Sequence, residues 1–256
     1  MSSPKETRLI DYSEARPSIG AIVKSGYAGA IRYLSLTPSK NLTKAEAKAL
    51  HDGGCAIGLV WETTATRAGE GVAAGETDCA LAEKQARGLG YPDNCPIFYA
   101  VDFDADPARV LPYFSGVYRV SKYAWGAYGS ARVIDAVMLA HAHAYGWQTA
   151  AWSSGQISKR ADLYQRIGHE APPIPGGGYD ENVVLKPLPL WGPTGVVTIT
   201  PPAPKPKKVR YALTTRILMR RLTRRLAKRH KRVTWQPDRD LAAGLSAELA
   251  RVEKIK

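Results

Sequence analysis

The stretch that most constrains this chain is 96–104, Pro-Ile-Phe-Tyr-Ala-Val-Asp-Phe-Asp, an apolar run ending in two carboxylates. On a strand, side chains alternate between faces. Ile97, Tyr99, Val101 and Phe103 then share one face, and Phe98, Ala100, Asp102 and Asp104 the other. A strand apolar on both faces belongs in a parallel sheet covered by helices. Two acids on one face, confined to its C-terminal end, mark a candidate site. Asp106-Pro107 just beyond reads as a helix start, with Asp106 as the cap.

Similar strand ends recur along the chain. Strands are expected at 8–13, 28–34, 55–62, 97–104, 123–128 and 147–153, with weaker patterns at 161–166 and 179–184. Helical stretches fall between them at 17–25, 43–51, 76–87 and 131–145, the second opening on a Thr43/Glu46 capping box. This alternation predicts an α/β chain folded as a (β/α)8 TIM-like barrel. At about 190 residues it is short for eight full units, so the last units are expected to be partly degenerate. The site of such a barrel lies at the C-terminal ends of its strands. That rule collects Asp11, Arg32, Glu62, Asp102, Asp104, Tyr128, Trp152, Gln165 and Asp180. Acids supply acid, base and nucleophile, and aromatic faces stack on sugar rings, so the set fits a carbohydrate site.

Charge divides the chain. The net +13 arises wholly from 205–232, which holds thirteen Lys and Arg and no acid; the remainder is balanced. The expected organisation is a barrel over 1–193, a Pro-rich basic linker over 194–210 and a basic amphipathic helical tail over 211–256. In that tail Leu218, Leu222 and Leu226 fall at helical spacing, as do Leu241, Leu245 and Leu249. So dense a positive run calls for an acidic partner, either virion proteins or an anionic envelope. Tyr211 is its only aromatic, so base stacking and sequence-specific nucleic-acid binding are not indicated. The apolar stripes offer a surface for self-association.

Other classes find little support. Cys55, Cys79 and Cys95 are odd in number and lack CxxC spacing, which indicates neither disulfides nor a zinc site. His51, His141, His143, His169 and His230 show no metal-ligand spacing. No cofactor and no metal are expected. No apolar run approaches membrane-spanning length, and residues 1–6 carry no signal-peptide pattern.

The segments 10–13, 31–34, 98–104, 128–130, 147–153 and 179–183, in that order, resemble the glycoside-hydrolase-like domain of unknown function found in actinobacterial exported proteins and in phage lysins and tail proteins. The resemblance covers 8–193 and implies a barrel distantly similar to family 25 lysozymes, which cleave the glycan strands of peptidoglycan. By position, Asp11 and Asp180 match the acids on the first and last strands of those lysozymes. Asp102-Phe103-Asp104 matches their Asp-x-Glu pair, with Asp104, one methylene shorter, where the proposed acid stands.

The expectation is therefore a phage-type peptidoglycan hydrolase, a lysin or virion tail component, acting in the virion or at the host wall after lysis. Asp104 is the first candidate for proton donor and Glu62 the second. Asp102 would be the charged partner, Asp11 and Asp180 would orient the pair, and Arg32, Tyr128, Trp152 and Gln165 would bind sugar. The alternative is a non-catalytic glycan-binding or structural module on the same barrel.

Overall fold

The computed structural model describes residues 6–169, 171 and 173–203. The basic run 205–232, the tail 211–256, the linker beyond 203 and His230 lie outside the described residues. What is described is a compact unit that closes at Ala203.

Eight strands form a closed ring. They are β1 (Arg8–Tyr12), β2 (Gly29–Leu34), β3 (Ala56–Trp61), β4 (Ile97–Ala100), β5 (Trp125–Gly129), β6 (Tyr145–Thr149), β7 (Leu163–Gln165) and β8 (Asp180–Val184). They pair in the order β3-β2-β1-β8-β7-β6-β5-β4, and a β3–β4 pairing closes the barrel. Neighbours run parallel except at β8, which is antiparallel to both β1 and β7. The expected α/β barrel is what the chain forms.

One helix follows each of the first five strands: α1 (Ile19–Lys24), α2 (Lys44–Asp52), α3 (Val72–Leu89), α4 (Pro107–Val120) and α5 (Ala131–Ala140). Thr43 caps α2 by accepting from the Glu46 amide at 3.1 Å, and Asp106 caps α4 by accepting from Ala108 at 3.0 Å. Among the described residues no helix separates β6 from β7 or β7 from β8. The last units are degenerate in this sense. Beside the outer face of α5 this leaves a groove of about 770 Å³, with Leu139 and Ile157 on its lining.

Alternation along the strands sorts the core into two layers. Leu9, Ile31, Ala56, Val60, Phe98, Ala100, Tyr128, Trp147, Leu163 and Val184 point inward and fill the barrel. Ile10, Ala30, Ile57, Leu59, Ile97, Tyr99 and Ala127 point outward, packing under the helices with Ile22, Leu50, Cys79, Val110, Phe114 and Ile134. The glycines at 75 and 116 let α3 and α4 touch. A Cβ on Gly75 would collide with the Tyr113 carbonyl, and one on Gly116 with the Val72 carbonyl.

The sequence predicts a linker from 194, but Gly195–Ile199 is a strand, β10, in a hairpin with β9 (Leu188–Gly192). The hairpin joins the sheet where Trp191 of β9 pairs antiparallel with Ile57 of β3. Leu188 and Leu190 enter the interior cluster, and Thr7 Oγ1 donates to the Thr200 carbonyl at 2.8 Å. These contacts lie at the end where the parallel strands begin. Leu residues here plug the barrel floor, so the apolar alternation of 195–199 outweighs the prolines around it.

Candidate active site

The opposite end of the barrel, where the parallel strands finish, gathers the acids. Asp11 is the fourth residue of β1 and pairs across the ladder with Asp180. Asp180 is the first residue of β8, not the last. It reaches the same end because β8 runs antiparallel. Glu62 follows the last residue of β3, and Asp102 lies two residues past the end of β4.

Asp11 is almost completely buried and sits at the centre of a hydrogen-bonded chain of neutral side chains. Its Oδ2 accepts from Asn182 Nδ2 at 2.7 Å and from Gln165 Nε2 at 3.0 Å. Trp147 Nε1 donates to Asn182 Oδ1 at 2.7 Å, and Tyr128 Oη donates to Gln165 Oε1 at 2.7 Å. The amide bonds favour the carboxylate, but burial outweighs them and the charges of Asp180 and Glu62 add to it. The carboxyl is pushed up to about 7.

The other acids are less enclosed. Burial raises the pKa of Glu62 and the nearby charge of Asp102 raises it further, while Lys40 opposes both from 3.3 Å. Asp102 is raised by burial, opposed by Lys40 and reinforced by Asp180. Asp180 is exposed at the rim, yet desolvation against its neighbours still raises it, opposed by His169. Tyr33 and Tyr128 stand among these charges. Burial, then Asp11, Glu62, Tyr128 and Asp102, pushes the Tyr33 phenol well above its ordinary value. The mouth therefore holds carboxyls that favour their protons, beside aromatic rings.

Three of the expected residues do not join this group. Strand β4 stops at Ala100, so the alternation that carries Asp102 to the mouth does not extend to Asp104. Asp104 is exposed and forms an ion pair with Arg132 at the start of α5. Arg32 lies on the outward face of β2 and is completely buried. There its guanidinium stacks on Tyr12 at 4.1 Å, bonds Glu46 at 2.7 Å and donates to the Tyr12 carbonyl. Trp152 lies beyond the end of β6, in a turn rather than on the strand, and is 40% exposed. Its φ of 55° is left-handed, a conformation costing roughly 1–2 kcal/mol for a side chain of this kind. Ser153 pins the turn by donating to the Thr149 carbonyl at 2.6 Å and accepting from the Ala131 amide at 2.9 Å.

Other residues at the mouth escape the strand-end rule. Tyr33 and Asn182 were within reach of alternation, two residues from Ile31 and Asp180. Trp147 enters from the middle of β6. Lys40 comes from a 3₁₀ turn, Pro38–Lys40, and carries no periodic signal. Among the described residues no group of three or more His, Cys, Asp or Glu is arranged to hold a metal ion.

A closed α/β barrel with an acid- and tyrosine-lined mouth at its strand ends is a glycoside hydrolase-like architecture. The chain matches the Rv2525c-like, glycoside hydrolase-like domain over residues 20–183, and it belongs to that family. Solved structures share the fold. The Tat-secreted protein Rv2525c of Mycobacterium tuberculosis, crystallised with L-tartrate, is 23% identical, with a TM-score of 0.63 over 72% of this chain and 97% of that one. An uncharacterized B. stearothermophilus protein is 21% identical, with a TM-score of 0.51 over 70% of this chain and 95% of that one. The modular autolysin LytC from Streptococcus pneumoniae is 16% identical, with a TM-score of 0.52 over 72% of this chain and 47% of that one. No curated protein matches the chain.

Proposed function

We propose that this chain is a cell-wall-directed protein whose barrel mouth binds peptidoglycan glycan strands and hydrolyses them. The observation that carries the proposal is the convergence of Asp11, Glu62, Asp102 and Asp180, each with a raised proton affinity, beside Tyr33 and Tyr128. Glycosidic cleavage needs one protonated carboxyl to donate to the leaving oxygen and one ionised carboxyl facing the cationic sugar carbon. Glu62, whose proton affinity the charge of Asp102 raises, is the proton donor in this reading, and Asp102 is the ionised partner. Asp11 and Asp180 orient the sugar and tune the pair. Tyr128, Gln165 and the exposed ring of Trp152 line the sugar path. Asp104 and Arg32 serve the frame.

The LytC autolysin, which shares the fold, has been crystallised with a synthetic peptidoglycan ligand. That supports a wall glycan as the substrate class. A phage setting, as lysin or tail component, is the finer proposal, supported by the basic run 205–232, which would bind an acidic envelope or virion surface.

A second reading is a glycan-binding barrel without turnover. The Glu62–Lys40 ion pair and the outward turn of Asp104 to Arg132 favour it. Zymography and reducing-end release on purified peptidoglycan separate the two. Hydrolysis by wild type that is lost in Glu62→Gln with glycan binding kept supports the first. Wild-type binding without any reducing ends establishes the second.

A further inference from the structure

Lys40 is an unusual neighbour for the acids of the mouth, because a buried network on the far side of the sheet fixes its backbone. Arg32 Nη2 donates to the Lys40 carbonyl at 3.2 Å while its Nε holds Glu46. The next residue, Asn41, is tied to Ser35 by its amide donating at 3.0 Å and its carbonyl accepting at 2.8 Å. The Leu42 amide donates to the Tyr33 carbonyl at 2.9 Å. From this anchored turn the ammonium reaches Glu62 Oε1 at 3.3 Å.

We propose that Lys40 is a positioning residue of the site, an ammonium braced by Arg32 against Glu62 so that the Glu62–Asp102 pair carries a single proton. The proposal rests on the hydrolase reading above and adds the group that divides labour between its two carboxyls. The groups facing the pair are Asp11 on β1, Tyr33 on β2, Tyr128 on β5, Asp180 on β8 and Lys40 itself. Burial favours protonation of both members, and Asp180 adds to it at Asp102, which by itself leaves no ionised partner for the sugar cation. Lys40 acts in the opposite sense on both Glu62 and Asp102. Its removal raises both, so the two limbs of a pH profile move in the same direction.

The test uses the full chain with Lys40→Met and Lys40→Arg. Carboxyl carbon NMR follows the titration of Glu62 and Asp102, and reducing-end release from peptidoglycan is recorded against pH. In Lys40→Met both carboxyl titrations, and both limbs of the activity profile, are expected to move up by roughly one pH unit. Lys40→Arg should restore the wild-type values. A loss of packing alone would lower the rate without moving the limbs. Carboxyl titrations in Lys40→Met that match wild type overturn the proposal. If they move while no variant, nor wild type, releases reducing ends, the role of Lys40 stands and the hydrolase reading fails. Should Lys40→Met not fold, Lys40→Gln gives the same comparison.

Discussion

On one wall of the barrel mouth Asp11 is held by two neutral amides, Asn182 and Gln165; on the other Glu62 is held by the ammonium of Lys40. Amides satisfy hydrogen-bonding capacity but bring no charge, so burial wins and Asp11 keeps its proton up to about pH 7. A cation offsets part of the same desolvation, so Glu62 and Asp102 stay closer to ionisation. The difference teaches that carboxyls at one barrel mouth are assigned separate chemistry by what lies behind each. The wall served by Lys40 suits proton transfer, and the amide wall suits a fixed hydrogen-bonding floor.

The sharpest way to break that contrast is to neutralise the Lys40 wall. Asp102→Asn is expected to lower reducing-end release about a thousand-fold while glycan binding is kept. If Asp11→Asn falls as far and Asp102→Asn does not, the walls exchange roles.

Asp11→Asn sharpens the other side through stability. The folded pKa of Asp11, about 7, lies above its ordinary 3.8, so the folded state binds a proton that the unfolded chain releases. Its contribution is fully present below pH 3.8 and is lost as pH rises through 7. Wild type therefore carries a penalty on the order of 4 kcal/mol above pH 7 that Asn removes. Thermal unfolding at pH 4 and pH 8 should show Asp11→Asn equal to wild type at the first and more stable at the second. A gain of the same size at both would refute the linkage.

Arg32→Met removes the brace behind Lys40. Leaving Glu46 with only Tyr12 and Arg16, and the Lys40 carbonyl without its donor, is expected to cost about 3 kcal/mol in urea unfolding, with little dependence on pH between 6 and 9. An unchanged midpoint would mean that the turn holds without it.

Asp104→Asn should have the smallest effect. An exposed pair with Arg132 contributes within about 0.5 kcal/mol, and activity should stay within about two-fold of wild type. A large loss would return Asp104 to the mouth in the bound state.

Much of this contrast is legible in particular residues. The period of two over 97–100 sets Phe98 and Ala100 inward, and the same count carries Asp102 upward. It fails at Asp104 because alternation belongs to paired strand, and pairing to β5 ends at Ala100. Arg32 illustrates a different limit. It stands beside the mouth in sequence, but one position separates the two faces of β2, so Tyr33 faces the acids and Arg32 faces α2. Asp180 shows a rule giving a suitable place through an unforeseen geometry. The acid stands at the start of its strand, and only antiparallel pairing puts it beside Asp11.

By itself, the sequence determined the barrel, its two apolar layers and the positions of Asp11, Glu62 and Asp102 at strand ends, because periodicity and local chain direction are short-range properties. The tertiary structure decided which carboxyl meets an amide and which a cation. Asn182, Gln165, Lys40 and Arg32 come from separate parts of the chain, and long-range pairing alone brings them to one pair of walls.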